Sequence, residues 1–319
     1  MGVLYVTKND YRLKKNGPRL TIMDGDDKTV RNVMIKEVEQ IVLTSTAQIS
    51  TELIFALMDQ GSSILYMPNG FKTTGILRPT QLKTSRVMLQ VRLYDDNRCR
   101  ANFVRSILKS KLRSEWQLLA RYGTRMSSSH IKNAVKDIKE LELQLDKTKD
   151  VDVVRGYEGA AAQKYFSCFG HIISKSNFKW AGRHKHPSPD PVNAMLSFSY
   201  ALLANEVSIA ILTQGLDLGV GYLHSPDDYR DSLVYDFMEP FRAGVCDRAV
   251  LNAINLKAIK EEDFVYNESN QSYIFTEDAK RKWYMAFTDS LNRMNLENTM
   301  TYKEEIYSTV RNFALSIED

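Results

Sequence analysis

The chain is poor in cysteine, in long apolar runs and in the familiar nucleotide and hydrolase signatures. Three cysteines, Cys99, Cys168 and Cys246, are odd in number, far apart and without a C-x-x-C pair. A disulfide framework and a zinc ribbon are therefore excluded, and a reducing compartment is expected. The first residues, MGVLYVTKNDYRLKK, contain no signal-peptide apolar core. The longest apolar stretch, Met195 to Leu212, is interrupted by Asn205 and Glu206. It reads as a buried core helix and not as a membrane span. These features predict a cytoplasmic protein with no membrane association. There is no P-loop, no G-x-G-x-x-G and no G-x-S-x-G.

What is present is an ordinary globular composition, 43% apolar and 26% charged over 319 residues. That length favours two domains. Net charge is only +4, so its distribution matters more than its total. Between Arg98 and Arg125 lie Arg98, Arg100, Arg105, Lys109, Lys111, Arg113, Arg121 and Arg125, with Glu115 the only acid. Two readings stand for this cluster: a solvated helix face, or a stripe that contacts phosphates.

Residues 1–80 read as β-rich. Short apolar runs at Val3–Val6, Leu20–Met23, Val33–Ile35, Ile41–Leu43 and Ile64–Met67 are separated by turn residues. One inserted helix is expected, capped by Ser50 or Thr51 and stopped by Gly61. A linker is placed at about 79–84. Beyond it, at 85–319, helices dominate: 85–96, 99–121, 130–146, 156–176, 190–214, 232–256 and 277–315. A hairpin is expected at Phe264–Tyr266 and Tyr273–Phe275. The fold class is thus α+β: a small, sandwich-like β domain followed by a larger all-α domain.

Three segments place ionisable groups inside apolar or aromatic runs: RGYEGAAAQKYF around Glu158, GYLHS around His224, and YDFMEPFR around Asp236 and Glu239. A bare buried carboxylate costs several kcal/mol, roughly, so such groups are paired, protonated or bound to a cation. Glu158 has small neighbours, Gly159 to Ala162, that leave room beside it; a helix-start glutamate is the plainer alternative. His224 falls on a loop, where a histidine is often merely solvated. Asp236 and Glu239, spaced i,i+3, share a helix face, where they repel unless a cation lies between them or water screens them.

Chain geometry constrains a shared site. A helix from 226 to 239 would rise about 20 Å and part His224 from Glu239; a start near Ser232 shortens this to about 10–12 Å. One site therefore predicts a loop over 225–231. Pro240 predicts a kink beside the acids. Carboxylates with one imidazole suit Mn2+ or Mg2+, and such a site supports phosphodiester chemistry. His184-Lys185-His186, in a proline-rich basic loop, reads as a solvated or DNA-facing loop rather than a ligand pair.

These segments, with RHKHPSPDPVNAMLSFSYALL (183–203), resemble the CRISPR-associated endonuclease and integrase of spacer acquisition, the "Cas one" family. The matching positions are Tyr157-Glu158-Gly159, Ala161-Ala162, Tyr165-Phe166, Asp190-Pro191, Asn193, Leu196, Tyr200, GYLHS, Asp236, Glu239-Pro240-Phe241-Arg242, Asp247 and Arg248. The resemblance covers nearly the whole chain. It departs at Tyr235, Ala243-Gly244 and Cys246, none a proposed ligand. It implies that Glu158, His224 and Glu239 are the catalytic metal triad, with Asp236 a fourth acid that some members use. It implies a homodimer, with residues 1–80 as its dimerisation domain, a small companion "Cas two", and double-stranded DNA as substrate. The reaction implied is insertion of short fragments into a repeat array by 3′-hydroxyl attack, together with metal-dependent cleavage. Arg105, Lys109, Arg183, Lys185, Arg242 and Arg248 are then the expected DNA contacts. A nuclease or transposase-like integrase outside CRISPR, and a non-catalytic DNA-binding scaffold, are the alternatives.

Overall fold

The computed structural model describes residues 2–66, 75–77, 83–148, 150–184, 187–227, 230–295 and 299–318. The chain divides into two compact units, Met1–Gln81 and Leu82–Asp319. Of the expected linker at 79–84, residues 79–82 lie outside the described residues, and Thr84 already begins a helix.

The first unit holds two four-stranded sheets. One is β4-β3-β2-β6, from β2 (Arg12–Asn16), β3 (Arg19–Met23), β4 (Thr29–Met34) and β6 (Gln48–Ile49). Gly17-Pro18 forms the β2–β3 turn, with Gly17 at φ +56°, a conformation that suits glycine. The other sheet is β1-β5-β7-β8, from β1 (Gly2–Val6), β5 (Val38–Leu43), β7 (Ser63–Tyr66) and β8 (Gly75–Leu77). Here β1, β5 and β7 run parallel, which evenly spaced apolar runs do not reveal. The inserted helix α1 (Thr51–Asp59) makes the β5-to-β7 crossover that parallel strands require. Ser50 caps it by accepting the Leu53 N–H. One core joins both sheets and α1 through Leu4, Leu13, Leu20, Ile41, Leu53 and Ile64. The strand β2 escapes the sequence reading because Arg12, Lys14 and Lys15 surround its single fully buried residue, Leu13.

The second unit is helical: α2 (Thr84–Asp95), α3 (Asn97–Met126), α4 (Ser129–Gln144), α5 (Val151–Ser167), α6 (Phe169–Ile172), α7 (Pro191–Thr213), α8 (Ser232–Met238), α9 (Arg248–Asn255), α10 (Glu277–Leu291) and α11 (Tyr302–Ser316). An antiparallel hairpin, β9 (Phe264–Asn267) with β10 (Ser272–Phe275), interrupts it as expected. Asp190 caps α7 through the Asn193 N–H, and Pro191 occupies its first turn. This apolar helix is long enough to cross a membrane, yet its residues form the core of the unit.

Two helical expectations are corrected. The run 156–176 begins earlier, at Val151 behind the Asp150 cap, and ends at Ser167. Glu158 therefore lies two turns inside α5, not at a helix start. The run 277–315 is two helices. Thr301 and Glu304 form a reciprocal capping box that starts α11 anew.

Candidate active site

Helix α3 runs for 30 residues and buries Val104, Leu108, Lys111, Leu112, Glu115 and Leu119 on one stripe. Two charged residues thus sit on an apolar face. Lys111 is 7% exposed. Its Nζ lies 2.5 Å from Glu158 Oε1 on α5 and 2.7 Å from Glu239 Oε2. Glu239 Oε1 in turn is 3.0 Å from Arg242 Nε. The acids that share a cation are thus Glu158 and Glu239, not the i,i+3 pair Asp236 and Glu239, whose carboxylates have different partners.

Electrostatics follow from that arrangement. Burial alone would raise the Glu239 carboxyl; Arg242, then Lys111, and more weakly His224, overcome it and bring it to about 2. Burial works against the Lys111 ammonium, but Glu239, Glu115 and Glu158 raise it above its ordinary range. Glu115 is the opposite case. Burial pushes it up to about 8 despite Lys111. Its Oε2 is buried with no hydrogen-bond partner among the described residues.

His224 is held from behind. Helix α8 starts at Ser232, and the described residues from Ser225 to Asp231 form no helix, so the geometric condition for a shared site is met. Asp236 is fully buried and gives every lone-pair direction to the histidine loop. Its Oδ2 accepts the N–H groups of Tyr222 (2.6 Å) and Leu223 (3.0 Å). Its Oδ1 accepts the His224 N–H (3.0 Å) and faces His224 Nδ1 at 2.7 Å. A carboxylate only accepts, so Nδ1 carries a proton, and Nε2 is the ring nitrogen left for a ligand. Further bonds fix the loop: Arg155 to the Leu223 carbonyl, Arg100 to the Tyr222 carbonyl, and Ser232 Oγ to the Ser225 carbonyl. Gly221 is required by close approach. A Cβ there would lie 2.6 Å from the His224 carbonyl oxygen and 2.7 Å from Ser232 Cβ.

The helix through the acids is irregular, as Pro240 leads one to expect. After α8 comes a 3-10 turn, Glu239–Phe241, then a π-helical turn, Arg242–Asp247, then α9. The Asp236 carbonyl finds its donor in the Glu239 N–H, in the tighter turn. At the end of the π turn, Asp247 accepts from Tyr200 (2.6 Å) and Tyr165 (2.8 Å). Burial raises its carboxyl to about 6 against those two bonds. The guanidinium groups of Arg242 and Arg183 lie 4.6 and 5.3 Å from the Tyr200 ring centroid.

The structure thus brings Glu158 and Glu239 to one ammonium and sets His224 within electrostatic reach of Glu239. Among the described residues, no three His, Cys, Asp or Glu side chains already stand as a metal-holding group. The expected DNA contacts scatter. Arg105 is half-buried and bonds Asn102; Lys109 pairs with Asp146 at 2.7 Å. Arg183 bonds Asn193 and Ser197. Arg248 is 6% exposed. Lys185 lies outside the described residues. Sequence reading missed Lys111 and Glu115 as site residues because they were counted as members of a basic helix. Their place on the stripe of Val104, Leu108, Leu112 and Leu119 was the available signal.

The Glu115 carboxyl carries a pH signature. The folded protein keeps its proton up to about 8, against 4.5 ordinarily. Wild-type stability from this group is full below 4.5 and is lost as pH rises toward 8. Glu115→Gln does not titrate. Its stability relative to wild type is expected to rise between pH 5 and 8, read as urea midpoints. An equal gap at both pH values would refute the assignment.

The architecture is shared by solved structures. The chain superposes on a casposase bound to its integration product with a TM-score of 0.82, at 22% identity, covering 99% of this chain and 90% of that one. It superposes on a Cas1 protein from Thermotoga maritima with a TM-score of 0.83, at 19% identity, covering 99% and 97%. In sequence, the CRISPR-associated endonuclease Cas1 3 of Thermus thermophilus is 29% identical over 320 residues, 98% of this chain and 92% of that protein. The family model for CRISPR associated protein Cas1 matches residues 4–289. The chain belongs to the Cas1 family.

Proposed function

We propose that this chain is a divalent-metal-dependent DNA endonuclease and integrase. It inserts short double-stranded fragments into a CRISPR repeat array by 3′-hydroxyl attack on a phosphodiester. The observation that carries the reading is the convergence of the Glu158 and Glu239 carboxylates on one cation, beside a histidine locked by Asp236.

The donor set fits a divalent metal. Oxygen from Glu158 and Glu239 and Nε2 of His224 are donors that Mn2+ and Mg2+ accept, with the imidazole favouring Mn2+. A bound metal would polarise the phosphoryl oxygen and lower the pKa of the attacking water or hydroxyl. The protein's own residues supply the rest. Asp236 orients the imidazole, the role of an outer carboxylate, and is consumed by that role rather than free to ligate. Arg242 fixes Glu239. In transesterification the fragment's 3′-oxygen bonds to phosphorus as the array's own 3′-oxygen leaves and takes up a proton. One phosphodiester forms for each one broken, so no nucleotide cofactor is consumed.

DNA, a second copy of the chain and a small companion protein are the partners this reading calls for. One solved neighbour, a Cas6-RT-Cas1–Cas2 complex, shares the fold with a TM-score of 0.82 at 17% identity. Residues 1–80 are proposed as the dimerisation domain.

The test is fragment joining and cleavage on double-stranded DNA, with Mn2+ and with EDTA. Wild type is expected to act only with metal, and His224→Ala to lose roughly 10³-fold or more in rate. Glu158→Ala or His224→Ala enzymes that join and cut like wild type would return the protein to the scaffold reading.

A further inference from the structure

Glu239 has two carboxylate oxygens, and both are taken. Arg242 holds Oε1 and Lys111 holds Oε2. The same Lys111 ammonium holds Glu158 Oε1. Any other cation that uses Glu158 and Glu239 together must therefore contend with Lys111. The ammonium cannot simply be left bare, because a buried, unpaired charge is strongly unfavourable. It needs a second seat, and α3 provides one. Glu115 lies one turn further along the same helix, where i,i+4 side chains are neighbours. Glu115 is 5% exposed, and its Oε2 lacks a hydrogen-bond partner among the described residues. Lysine suits such a move, being a compact charge on a flexible four-carbon stem.

We infer that the Lys111 ammonium is the resident counter-ion of the Glu158–Glu239 pair, and that a divalent metal loads only as this ammonium transfers to Glu115. Lys111 is thus a positioning and gating residue, and Glu115 its receiver. In the loaded state the metal serves Glu158 and Glu239, and Lys111 serves Glu115, which releases its proton to solvent as the ammonium arrives. One divalent ion enters and one proton leaves, so no buried charge is stranded, which is why a buried lysine is tolerable at a metal site. The inference rests on the metal reading above, but it makes a separate demand on two residues outside the ligand set.

The experiment measures Mn2+ affinity by calorimetry, without DNA and without turnover. Lys111→Met removes the competitor and is expected to bind Mn2+ about tenfold or more tightly than wild type. Glu115→Gln removes the group that can ionise to receive the ammonium and is expected to bind more weakly. In the Lys111→Met background, Glu115→Gln is expected to have no further effect, because no ammonium remains to be received. Lys111→Arg, which keeps the charge and holds carboxylates in a fork, is expected to bind Mn2+ more weakly than wild type. Thermal unfolding covers the risk that Lys111→Met folds poorly. That variant is expected to melt lower than wild type without metal and to gain more on Mn2+ addition. A Lys111→Met protein that binds Mn2+ no better than wild type, or an equal Glu115→Gln effect in both backgrounds, overturns the exchange. Wild type that takes up no Mn2+ overturns the metal reading itself, a result distinguishable from either.

Discussion

Asp236→Asn is expected to destabilise the protein by about 3–5 kcal/mol, the range for breaking a buried charged network on one side. The native carboxylate is fully buried and receives three backbone N–H groups and the His224 ring nitrogen. An amide offers one acceptor oxygen, and its NH2 must face N–H donors that have no other partner. Activity is expected to fall further than stability explains, because the imidazole loses the contact that sets its tautomer. The measurement pairs urea unfolding with DNA joining at a temperature where the variant is still folded. A variant that keeps both would show that Asp236 does not hold the loop. The same pairing separates an outer carboxylate from a ligand. Mn2+ affinity is expected to drop only about 10–100-fold in the folded variant, whereas Glu239→Gln is expected to lose it altogether.

Gly221→Ala is expected to cost about 3 kcal/mol, at the upper end of overpacking effects. The added methyl would sit 2.6 Å from the His224 carbonyl oxygen, 2.7 Å from Ser232 Cβ and 2.8 Å from the Ser232 carbonyl carbon. Two of those three neighbours are backbone, so no rotamer change relieves the clash. Either the loop carrying His224 or the start of α8 must shift. Since the Tyr222, Leu223 and His224 N–H groups all converge on Asp236, a displacement of the loop breaks several bonds together. Expected results are a lowered urea midpoint and loss of joining activity. Gly156→Ala is the control. A Cβ at Gly156 meets nothing within 4 Å, so little change is expected there. Equal behaviour of the two variants would refute the steric argument.

How much of this was legible in the sequence differs by residue, for physical reasons. Glu158, His224 and Glu239 stood out because ionisable groups in apolar and aromatic runs need an explanation. The loop before Ser232 was legible because 1.5 Å per residue sets how far a helix carries two residues apart. The role of Asp236 was not, because its partners are main-chain N–H groups, which every residue has. Lys111 and Glu115 were hidden by their neighbours. In a run of eight basic residues, one lysine on the inner stripe resembles the rest until the helix is packed. The β-rich and helical regions followed from periodicity, but the parallel order β1-β5-β7 did not. Strand pairing depends on long-range partners, and local alternation says nothing about direction.

The irregular stretch from Glu239 to Asp247 has a consequence for how the active-site helix is phased. A 3-10 turn winds more tightly than an α-helix, and a π turn winds more loosely. Placed back to back, the two distort in opposite senses. The residues between α8 and α9 are thereby re-aimed. Glu239 turns toward Lys111, and Asp247 turns toward the two tyrosines. The π turn is in effect a spare residue spliced into the helix. Its removal would rotate everything downstream by about 100° relative to the acids. The stretch works as a phase shifter, letting one continuous rod address two differently oriented chemical environments.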